Sequence, residues 1–386
     1  MILTEGQQHV IDLVDEFCDE HFDEQSIRQW CISRGMPSRV YDAFYASDLG
    51  SYVLPVSVGG KDCPFIDRAT LIMAMVRRAG ASLPIQSDMT ALALLSSMRQ
   101  VSQDEIVEDL YSKTGRVLFS QAFTEPHAGS DTQAVRTQVT ADADGIFLDG
   151  TKTFVSSGEF ADNTLVLARD PVFGQLDGGM SLWLVPINSN GVSAFPLNTI
   201  GQDMLASASL MFDHVKLNPE WQIQTEGKLN SMMKRQFGLG RVLVCASSTG
   251  LALAALDDAA RHAAEHTVKG RQLVSLPQIQ EKLADMEAKV RSMMMLTFAA
   301  ARTADDGSSR DFDLDTALAK HAVPKLATEV ASDALQVFGG IGYTDQTRVS
   351  RIWQDCRGNQ IAWGTDEVMV GVVAKSIVRK AGTRRW

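Results

Sequence analysis

AFTEPHAGSD, residues 122–131, is the stretch of this sequence that decides the fold. Its first residues are typical of a strand, Pro126 ends that strand, and small residues then form a turn. Gly129 and Ser130 allow a ligand to approach the backbone closely, and they offer N–H and hydroxyl donors. On its own the stretch also fits a capped turn without a ligand, so its meaning depends on the rest of the chain.

Three segments near the C-terminus complete the pattern. Residues 336–343 read QVFGGIGY, residues 351–357 read RIWQDCR, and residues 364–367 read GTDE. Taken alone, the glycines of the first segment fit a helix C-cap followed by a turn. No G-x-G-x-x-G follows a predicted strand, so a Rossmann dinucleotide site is not indicated.

Together and in this order, these segments resemble the two signatures of the acyl-CoA dehydrogenase family, and the resemblance covers essentially the whole chain. The stretch Gln280–Ala284 is similar to the crotonobetainyl-CoA reductase-like branch. The resemblance implies an FAD-dependent oxidoreductase acting at the α,β bond of an acyl-CoA or enoyl-CoA. It also implies a homotetramer, with electron-transferring flavoprotein as the family's usual electron acceptor.

The resemblance also implies roles for individual residues. The first signature would hold the isoalloxazine ring, while Phe154-Val155-Ser156 matches an element whose aromatic ring packs on the flavin. Ser130 and Arg241 would contact the thioester ligand. Arg241 is expected to be the first residue of a long helix. Read without the resemblance, Phe154 is a strand core residue and Arg241 a surface arginine. The FAD-binding residues implied are Gln121, Phe123, Thr124, Gly129, Ser130, Phe154, Ser156, Arg271, Gln336, Gly340, Thr365 and Glu367.

The pattern breaks at the catalytic base. Most members of the family carry a glutamate immediately before the G-T of the second signature, and a subset carries it just before the arginine of the long helix. Trp363 and Gly240 occupy these two positions here, and neither side chain can accept a proton. Asp366 and Glu159 are the candidates for a displaced base. A tryptophan beside the reacting carbons also predicts a shortened cavity and a small acyl group.

The loop that the resemblance directs toward a partner subunit departs from the family pattern as well. His266 stands at the usual arginine position, so Lys269 or Arg271 is expected to neutralise the FAD pyrophosphate. His127 stands where glycine is commoner in the first signature.

Periodicity indicates an α+β multidomain fold with a helical domain over residues 1–116, an antiparallel β-barrel or sandwich over 117–228, and a four-helix bundle over 229–386. Asp144-Gly145 predicts the turn of a β-hairpin. Pro324 is expected to kink or split its helix. The predicted helices are a first one capped at Thr4, Ile66–Arg78, Met89–Met98, Arg241–His266, Pro277–Asp305, Asp315–Val337 and Asp366–Lys380. The predicted strands are Thr137–Thr140, Ile146–Phe154, Thr164–Ala168, Ser181–Pro186, Val192–Pro196 and Ala208–Phe212.

Composition narrows the class of protein. The formal net charge is -11, which argues against a nucleic-acid partner because such binding needs clustered basic residues. Five dispersed cysteines suit free thiols, and the absence of a long apolar run argues against membrane insertion, so a cytoplasmic location is expected. His262 and His266 have the spacing of a metal-binding pair, but without a third ligand they are read as a solvated helix face, and no metal is expected.

Two alternatives to a dehydrogenase stay open from the sequence. One is a lyase-type or desaturase-like variant in which the leaving group of the substrate makes the base unnecessary. The other is a flavin- and CoA-binding homologue without redox turnover, acting as a partner or regulatory subunit.

Overall fold

The protein was analysed as a computed structural model that describes residues 3–61, 63–96, 101–172, 174, 179–223, 229–306 and 311–381. Helices come first along the chain, a sheet follows, and helices return. The helices are α1 (Glu5–His21), α2 (Glu24–Ile32), α3 (Ser38–Ala46), α4 (Phe65–Ala79), α5 (Ile85–Ser96), α6 (Val101–Thr114), α7 (Leu229–Glu265), α8 (Pro277–Asp305), α9 (Phe312–Phe338), α10 (Arg348–Asn359) and α11 (Asp366–Lys380). The strands are β1 (Phe119–Ala122), β2 (Gln138–Asp142), β3 (Gly145–Val155), β4 (Asn163–Arg169), β5 (Met180–Pro186), β6 (Val192–Pro196), β7 (Ala208–Leu217), β8 (Thr267–Val268) and β9 (Arg271–Gln272).

Local sequence signals account for several of these boundaries. Thr4 caps α1 as predicted: its hydroxyl accepts from the Gln7 backbone N–H at 3.2 Å, and the Gln7 side chain accepts in return from the Thr4 N–H at 3.0 Å. The hairpin β2–β3 is confirmed, but its two-residue turn is residues 143–144, one residue before the predicted Asp144-Gly145, and Gly145 at φ 144° is the first paired residue of β3. Pro324 does not split its helix, because α9 runs unbroken from Phe312 to Phe338. The last residues of the predicted helix Met89–Met98 lie outside the described residues.

The sheet has seven strands in the order β1-β4-β2-β3-β7-β6, with β5 paired to β4. The antiparallel pairing that was predicted holds for β2–β3, β3–β7, β4–β5 and β6–β7, whereas β1 and β2 pair parallel with β4. Apolar side chains from β1, β2, β3, β4, β5 and β7 form an apolar core of their own. Alternate residues of β4, such as Leu165 and Leu167, belong instead to the larger helical core. Strands β4 and β5 are therefore buried on both faces, whereas β6 and β7 expose part of theirs.

Helix α7 is the central element of the C-terminal helical region, where it packs against α4, α8, α9 and α10. By length and composition alone its stretch Met233–Glu265 could cross a membrane, but 83% of the most apolar window is buried inside the protein. That burial is typical of the core helix of a bundle. The domain boundaries at residues 116 and 228 stay predictions.

Candidate functional site

The turn that follows β1 presents small residues to open space. Backbone hydrogen bonds close it from the Glu125 N–H to the Ala128 carbonyl (2.9 Å) and from the Ala128 N–H to the Glu125 carbonyl (3.0 Å). Gly129 and Ser130 follow this closure and are exposed. A Cβ placed on Gly129 would meet no atom within 4 Å. The backbone here is accessible to a ligand, as the sequence predicted.

A buried ion pair fixes this turn to β3. The Lys152 ammonium lies 2.8 Å from a Glu125 carboxylate oxygen and also donates to the Phe123 carbonyl at 3.2 Å. The same carboxylate accepts the backbone N–H groups of Arg136 (2.7 Å) and Thr137 (2.9 Å). Sequence reasoning did not single out Lys152, because nothing in a strand pattern marks a lysine as buried. Glu125 thus has a structural role within the signature.

Burial and hydrogen bonding act in opposite directions on the Glu125 carboxyl. Desolvation alone raises its pKa, but the hydrogen bonds from Lys152, Thr137 and Arg136 outweigh that effect and bring the pKa down to about 2. Desolvation likewise lowers the pKa of Lys152, and the neighbouring carboxylate opposes the change. We take both groups as charged at neutral pH, since each is satisfied by the other.

The predicted flavin-packing element lies beside the first signature. The Thr153 N–H donates to the Thr124 carbonyl at 2.9 Å, which places Phe154 and Ser156 next to the signature strand. Phe154 is 66% exposed and has a φ of 55°, a left-handed conformation that is strained for an aromatic residue. It is therefore not the strand core residue that alternation alone suggested. An apolar ring held outward at a cost in backbone strain suits contact with a flat ligand.

Helix α7 connects the two signatures through one of its faces. Phe237 lies edge-on to Phe123 of the first signature and to Trp363 of the second, with ring centroids 6.0 Å apart in each case. Helix α7 begins at Leu229, so Arg241 lies well inside it. The prediction that Arg241 opens this helix is therefore wrong, because a helix already begins before residue 241. The start was missed because no capping residue marks Leu229 in the sequence.

The two positions predicted for a catalytic base contact each other. A Cβ on Gly240 would lie within 2.5 Å of three indole carbons of Trp363. The indole thus rests on the bare helix backbone, and only glycine fits beneath it. Trp363 itself has a φ of 57° and precedes Gly364 at φ 102°.

Two cations, Arg241 of α7 and Lys320 of α9, interact electrostatically with each other, and Arg241 directly follows Gly240 in the sequence of α7. Arg241 is half-buried, desolvation lowers its pKa, and no described residue accepts a hydrogen bond from its Nε. Lys320 of α9 is fully buried and donates to the Gln360 carbonyl at 3.3 Å. Neither cation forms an ion pair with a carboxylate within 4 Å among the described residues. Arg241 is therefore half-buried, which differs from an ordinary exposed surface arginine.

Asp366 and Glu159 stay predictions as displaced bases. Asp366 begins α11 and lines a cavity of about 680 Å³ between α8, α9 and α11, together with His321 and Glu367. Desolvation raises the pKa of Asp366, with Lys320 opposing the change. Glu159 is half-buried in the turn after β3. Nothing in these positions places either carboxylate against Trp363.

The remaining predicted FAD residues are exposed, except for Thr365, which is half-buried. Gln336 and Gly340 are exposed at the end of α9, where Gly339 forms the C-cap at φ 67°, and Tyr343 close by is 89% exposed. Arg271 lies in the exposed hairpin β8–β9. These residues are open to contact from outside the subunit. Thr365 caps α11, and its hydroxyl accepts from the Val368 N–H at 3.4 Å.

The acidic residue of the RIWQDCR segment holds three regions together. Asp355 of α10 is 2% exposed and accepts from the backbone N–H of Ser82 at 2.7 Å and from that of Gln202. Desolvation raises its pKa to about 6, while the two N–H groups oppose the change. Arg351 and Arg348 of the same helix bind Glu24 and Asp258, each with two hydrogen bonds. This part of the second signature is therefore structural.

Comparison with known proteins agrees with this geometry. Residues 120–215 match the family described as acyl-CoA dehydrogenase, middle domain, and residues 229–378 match acyl-CoA dehydrogenase, C-terminal domain. The probable acyl-CoA dehydrogenase YdiO of Escherichia coli K12 is 30% identical over 377 residues, which is 98% of this chain and 98% of that protein. The chain belongs to the acyl-CoA dehydrogenase family.

Solved structures of acyl-CoA dehydrogenases share the whole fold. The enzyme from Slackia heliotrinireducens is 36% identical with a TM-score of 0.86, and the match covers 99% of this chain and 98% of that one. Butyryl-CoA dehydrogenase from Megasphaera elsdenii is 25% identical with a TM-score of 0.88, over 98% of this chain and all of that one. The fold predicted from the sequence is thereby confirmed.

Proposed function

We propose that this acyl-CoA dehydrogenase homologue binds FAD and a CoA thioester and acts as an oxidoreductase at the α,β bond of an acyl-CoA or enoyl-CoA. The observation that carries the proposal is the meeting of both signatures at one face of α7, where Phe237 contacts Phe123 and Trp363. Residues that lie far apart in sequence converge there around exposed small residues and an outward-facing aromatic ring. Such convergence suits a ligand site better than a purely structural core.

The residues present fit an isoalloxazine ring. Phe154 offers an exposed apolar face, Thr124 and Ser156 lie next to it, and Gly129 leaves open space above the backbone. One apolar wall with a few polar groups is what a flavin site requires. When bound, FAD would supply the hydride chemistry at the β-carbon. Gln121, Phe123, Ser130, Thr365 and Glu367 complete the proposed set within the subunit.

The chain's own residues constrain the proton transfer at the α-carbon. Trp363 fills the space next to Gly240, so neither position supplies a carboxylate. Arg241 follows Gly240 in α7, and its Nε donates to no described residue, which favours a negatively polarised thioester oxygen in its neighbourhood. The filled space also supports a small acyl group, and one similar protein is named a butyryl-CoA dehydrogenase.

The contact between Trp363 and Gly240 also favours a second function. A homologue that binds flavin and a CoA thioester without dehydrogenase turnover, as a partner or regulatory subunit, needs no base. A lyase-type variant, in which a substrate leaving group departs, would not need one either. These alternatives differ from the first in whether a saturated acyl-CoA reduces the flavin.

Exposed residues support the proposed partners. Arg271, Gln336 and Gly340 face outward, where they can meet FAD bound to a neighbouring subunit of a homotetramer. Lys269 and Gly270 form the hairpin turn beside Arg271, with φ values of 51° and 75°. Electron-transferring flavoprotein is the proposed electron acceptor, and a cytoplasmic location is proposed with it.

Anaerobic titration of the purified flavoprotein with saturated acyl-CoAs tests the first function against the second. Bleaching of the flavin absorbance supports dehydrogenation. A spectral shift without bleaching supports the binding-only function. A protein that can be neither purified with FAD nor reconstituted with it would contradict both.

A pair of variants tests the flavin site directly. Phe154→Ala is expected to weaken FAD binding about tenfold or more, because it removes the apolar wall. Phe195→Ala on the edge strand β6 is the matched control, since Phe195 is 52% exposed and lies outside the proposed site. Equal FAD dissociation constants for the two variants would remove Phe154 from the site.

A further inference from the structure

A hydrogen-bonded network of three side chains lies next to the convergence of the two signatures. Gln236 of α7 donates through Nε2 to the Thr90 backbone carbonyl (2.6 Å) and to Oε1 of Gln121 (3.1 Å). Gln121 donates through its own Nε2 to the Thr90 hydroxyl at 2.6 Å. Thr90 is fully buried and Gln236 is 1% exposed. The network joins α5, β1 and α7.

The direction of every bond in this network is fixed by carbonyl groups, which can only accept. The Thr90 carbonyl requires the NH₂ of Gln236, so the oxygen of that amide must point elsewhere. Gln121 must then present its oxygen to Gln236 and its NH₂ to Thr90. The Thr90 hydroxyl donates a hydrogen bond to the Ser87 carbonyl at 2.9 Å. No rotation of an amide group can reverse this order without placing two donors or two acceptors together.

One acceptor of this network receives no hydrogen bond from the described residues. Oε1 of Gln236 is buried, and no donor among the described residues reaches it. An unpaired buried carbonyl is unfavourable, because it has given up its hydrogen bond to water without a replacement, so a donor from outside the chain is expected to satisfy it. Water is one such donor, and a ligand group is the other.

The position of Gln236 favours a ligand. Gln236 is four residues before Gly240 on α7 and therefore lies on the same helix face, about 6 Å along the axis. Phe237, next in sequence, contacts both Phe123 and Trp363. In an extended acyl chain that runs from Trp363 toward Gln236, a donor atom three bonds beyond the α-carbon lies about 4 Å along the chain, and a hydrogen bond of about 3 Å would then reach the level of Gln236.

We propose that Gln236 determines specificity for a CoA thioester whose short acyl chain ends in a hydrogen-bond donor, such as a hydroxyl or a primary amide. This inference rests on the proposed function, since it assumes that a CoA thioester binds at Trp363. An acyl group that ends in a methyl leaves the Gln236 oxygen unpaired, and a site with such an unpaired group discriminates against the apolar analogue. Gln121 and Thr90 are positioning residues, because they hold the Gln236 amide in one orientation.

Calorimetric binding of two matched ligands to the FAD-loaded protein tests the proposal. 4-Hydroxybutyryl-CoA and pentanoyl-CoA differ only in a terminal hydroxyl against a methyl. We expect the hydroxylated ligand to bind about tenfold more tightly to the wild-type protein. In Gln236→Leu this preference is expected to disappear, while the affinity for pentanoyl-CoA stays equal or rises. Gln280→Leu, an exposed position on α8, is the control and should keep the wild-type ratio.

Equal or weaker binding of 4-hydroxybutyryl-CoA to the wild type would overturn the inference and leave water as the partner of Gln236. A preference that persists in Gln236→Leu would overturn it as well. The wild-type ratio alone decides the matter if that variant does not fold. Failure of both thioesters and of butyryl-CoA to bind would instead contradict the proposed function itself.

Discussion

The indole ring of Trp363 lies directly against the backbone of Gly240, so the two positions where the family carries its base fill one space between them. Residue 363 cannot be large unless residue 240 lacks a side chain. The absence of a carboxylate at residue 240 is therefore tied to the presence of tryptophan at residue 363, because the indole occupies the space of a side chain at residue 240. This relationship separates the chain from a dehydrogenase in which either site carries glutamate.

Adding a methyl group to Gly240 is expected to destabilise the protein. Gly240→Ala would force Cβ into the indole of Trp363 and should lower the free energy of unfolding by about 1–3 kcal/mol. Gly371→Ala in α11 is the control, because a Cβ there meets no atom within 4 Å. Substituting alanine for a helical glycine in open space raises the free energy of unfolding by about 0.5–1 kcal/mol. The urea unfolding midpoints of the two variants should thus move in opposite directions. Higher stability in both variants would contradict the contact between the Trp363 indole and Gly240.

Restoring a carboxylate at position 363 is expected to create α-proton exchange. Trp363→Glu puts a base next to Gly240, in the space that the indole vacates. NMR in D₂O would follow loss of the α-hydrogens of a bound saturated acyl-CoA. Trp363→Gln, which opens the same space without a base, should exchange no faster than the wild type. Equal exchange in the Glu and Gln variants would show that the α-carbon is not beside residue 363.

Neutralising Glu125 is expected to be costly, because the buried Lys152 would lose the carboxylate that stabilises its charge and would have to stay charged without it or release its proton. Glu125→Gln should lower the free energy of unfolding by about 3–5 kcal/mol at pH 7, and the double variant with Lys152→Met should recover part of that loss. Glu287→Gln is the control, because Glu287 forms an exposed ion pair with Arg291. This variant should lower the free energy of unfolding by about 0.5 kcal/mol or less.

The pH dependence of the Glu125 effect has a definite sign. A carboxyl whose pKa is lowered to about 2 on folding stabilises the protein above its unfolded pKa of about 4.3 and loses that contribution as pH falls toward 2. The stability difference between the wild type and Glu125→Gln should therefore narrow between pH 4 and pH 2. A constant difference over that range would mean that ionisation of Glu125 is not its source.

Asp355 is expected to affect the pH dependence in the opposite sense. Its pKa is raised to about 6 on folding, so the folded protein holds a proton that the unfolded chain releases near pH 4. The resulting stabilisation is present below about pH 4 and is lost as pH rises through about 6. Asp355→Asn removes this dependence of stability on pH. It also places the NH₂ of the asparagine against the Ser82 or Gln202 N–H, which lowers the free energy of unfolding by about 1–3 kcal/mol. Chemical unfolding between pH 4 and pH 7 measures both effects, with Asp345→Asn, an exposed position, as the control.

Several elements could be predicted because their signals are local. The Thr4 cap, the hairpin around Gly145 and the long apolar periodicity of α8 and α9 depend on residues a few positions apart. The short helices α2 and α3 and the true start of α7 were not predicted, since none of them has a long apolar stripe with a clear cap. The left-handed backbone of Phe154 was also beyond prediction, because its strain is held by neighbours on other strands.

The sequence by itself determined the family, the order of helical and β regions, and the absence of glutamate at residues 240 and 363. Each of these follows from residue identity and short spacing. Only the tertiary structure decided that Trp363 rests on Gly240, that Lys152 is the partner of Glu125, and that the Gln236 side-chain carbonyl receives no donor from the part of the chain that the structure describes. Such contacts join residues far apart in the chain, and whether a polar group is satisfied depends on which of them the fold brings within hydrogen-bonding distance.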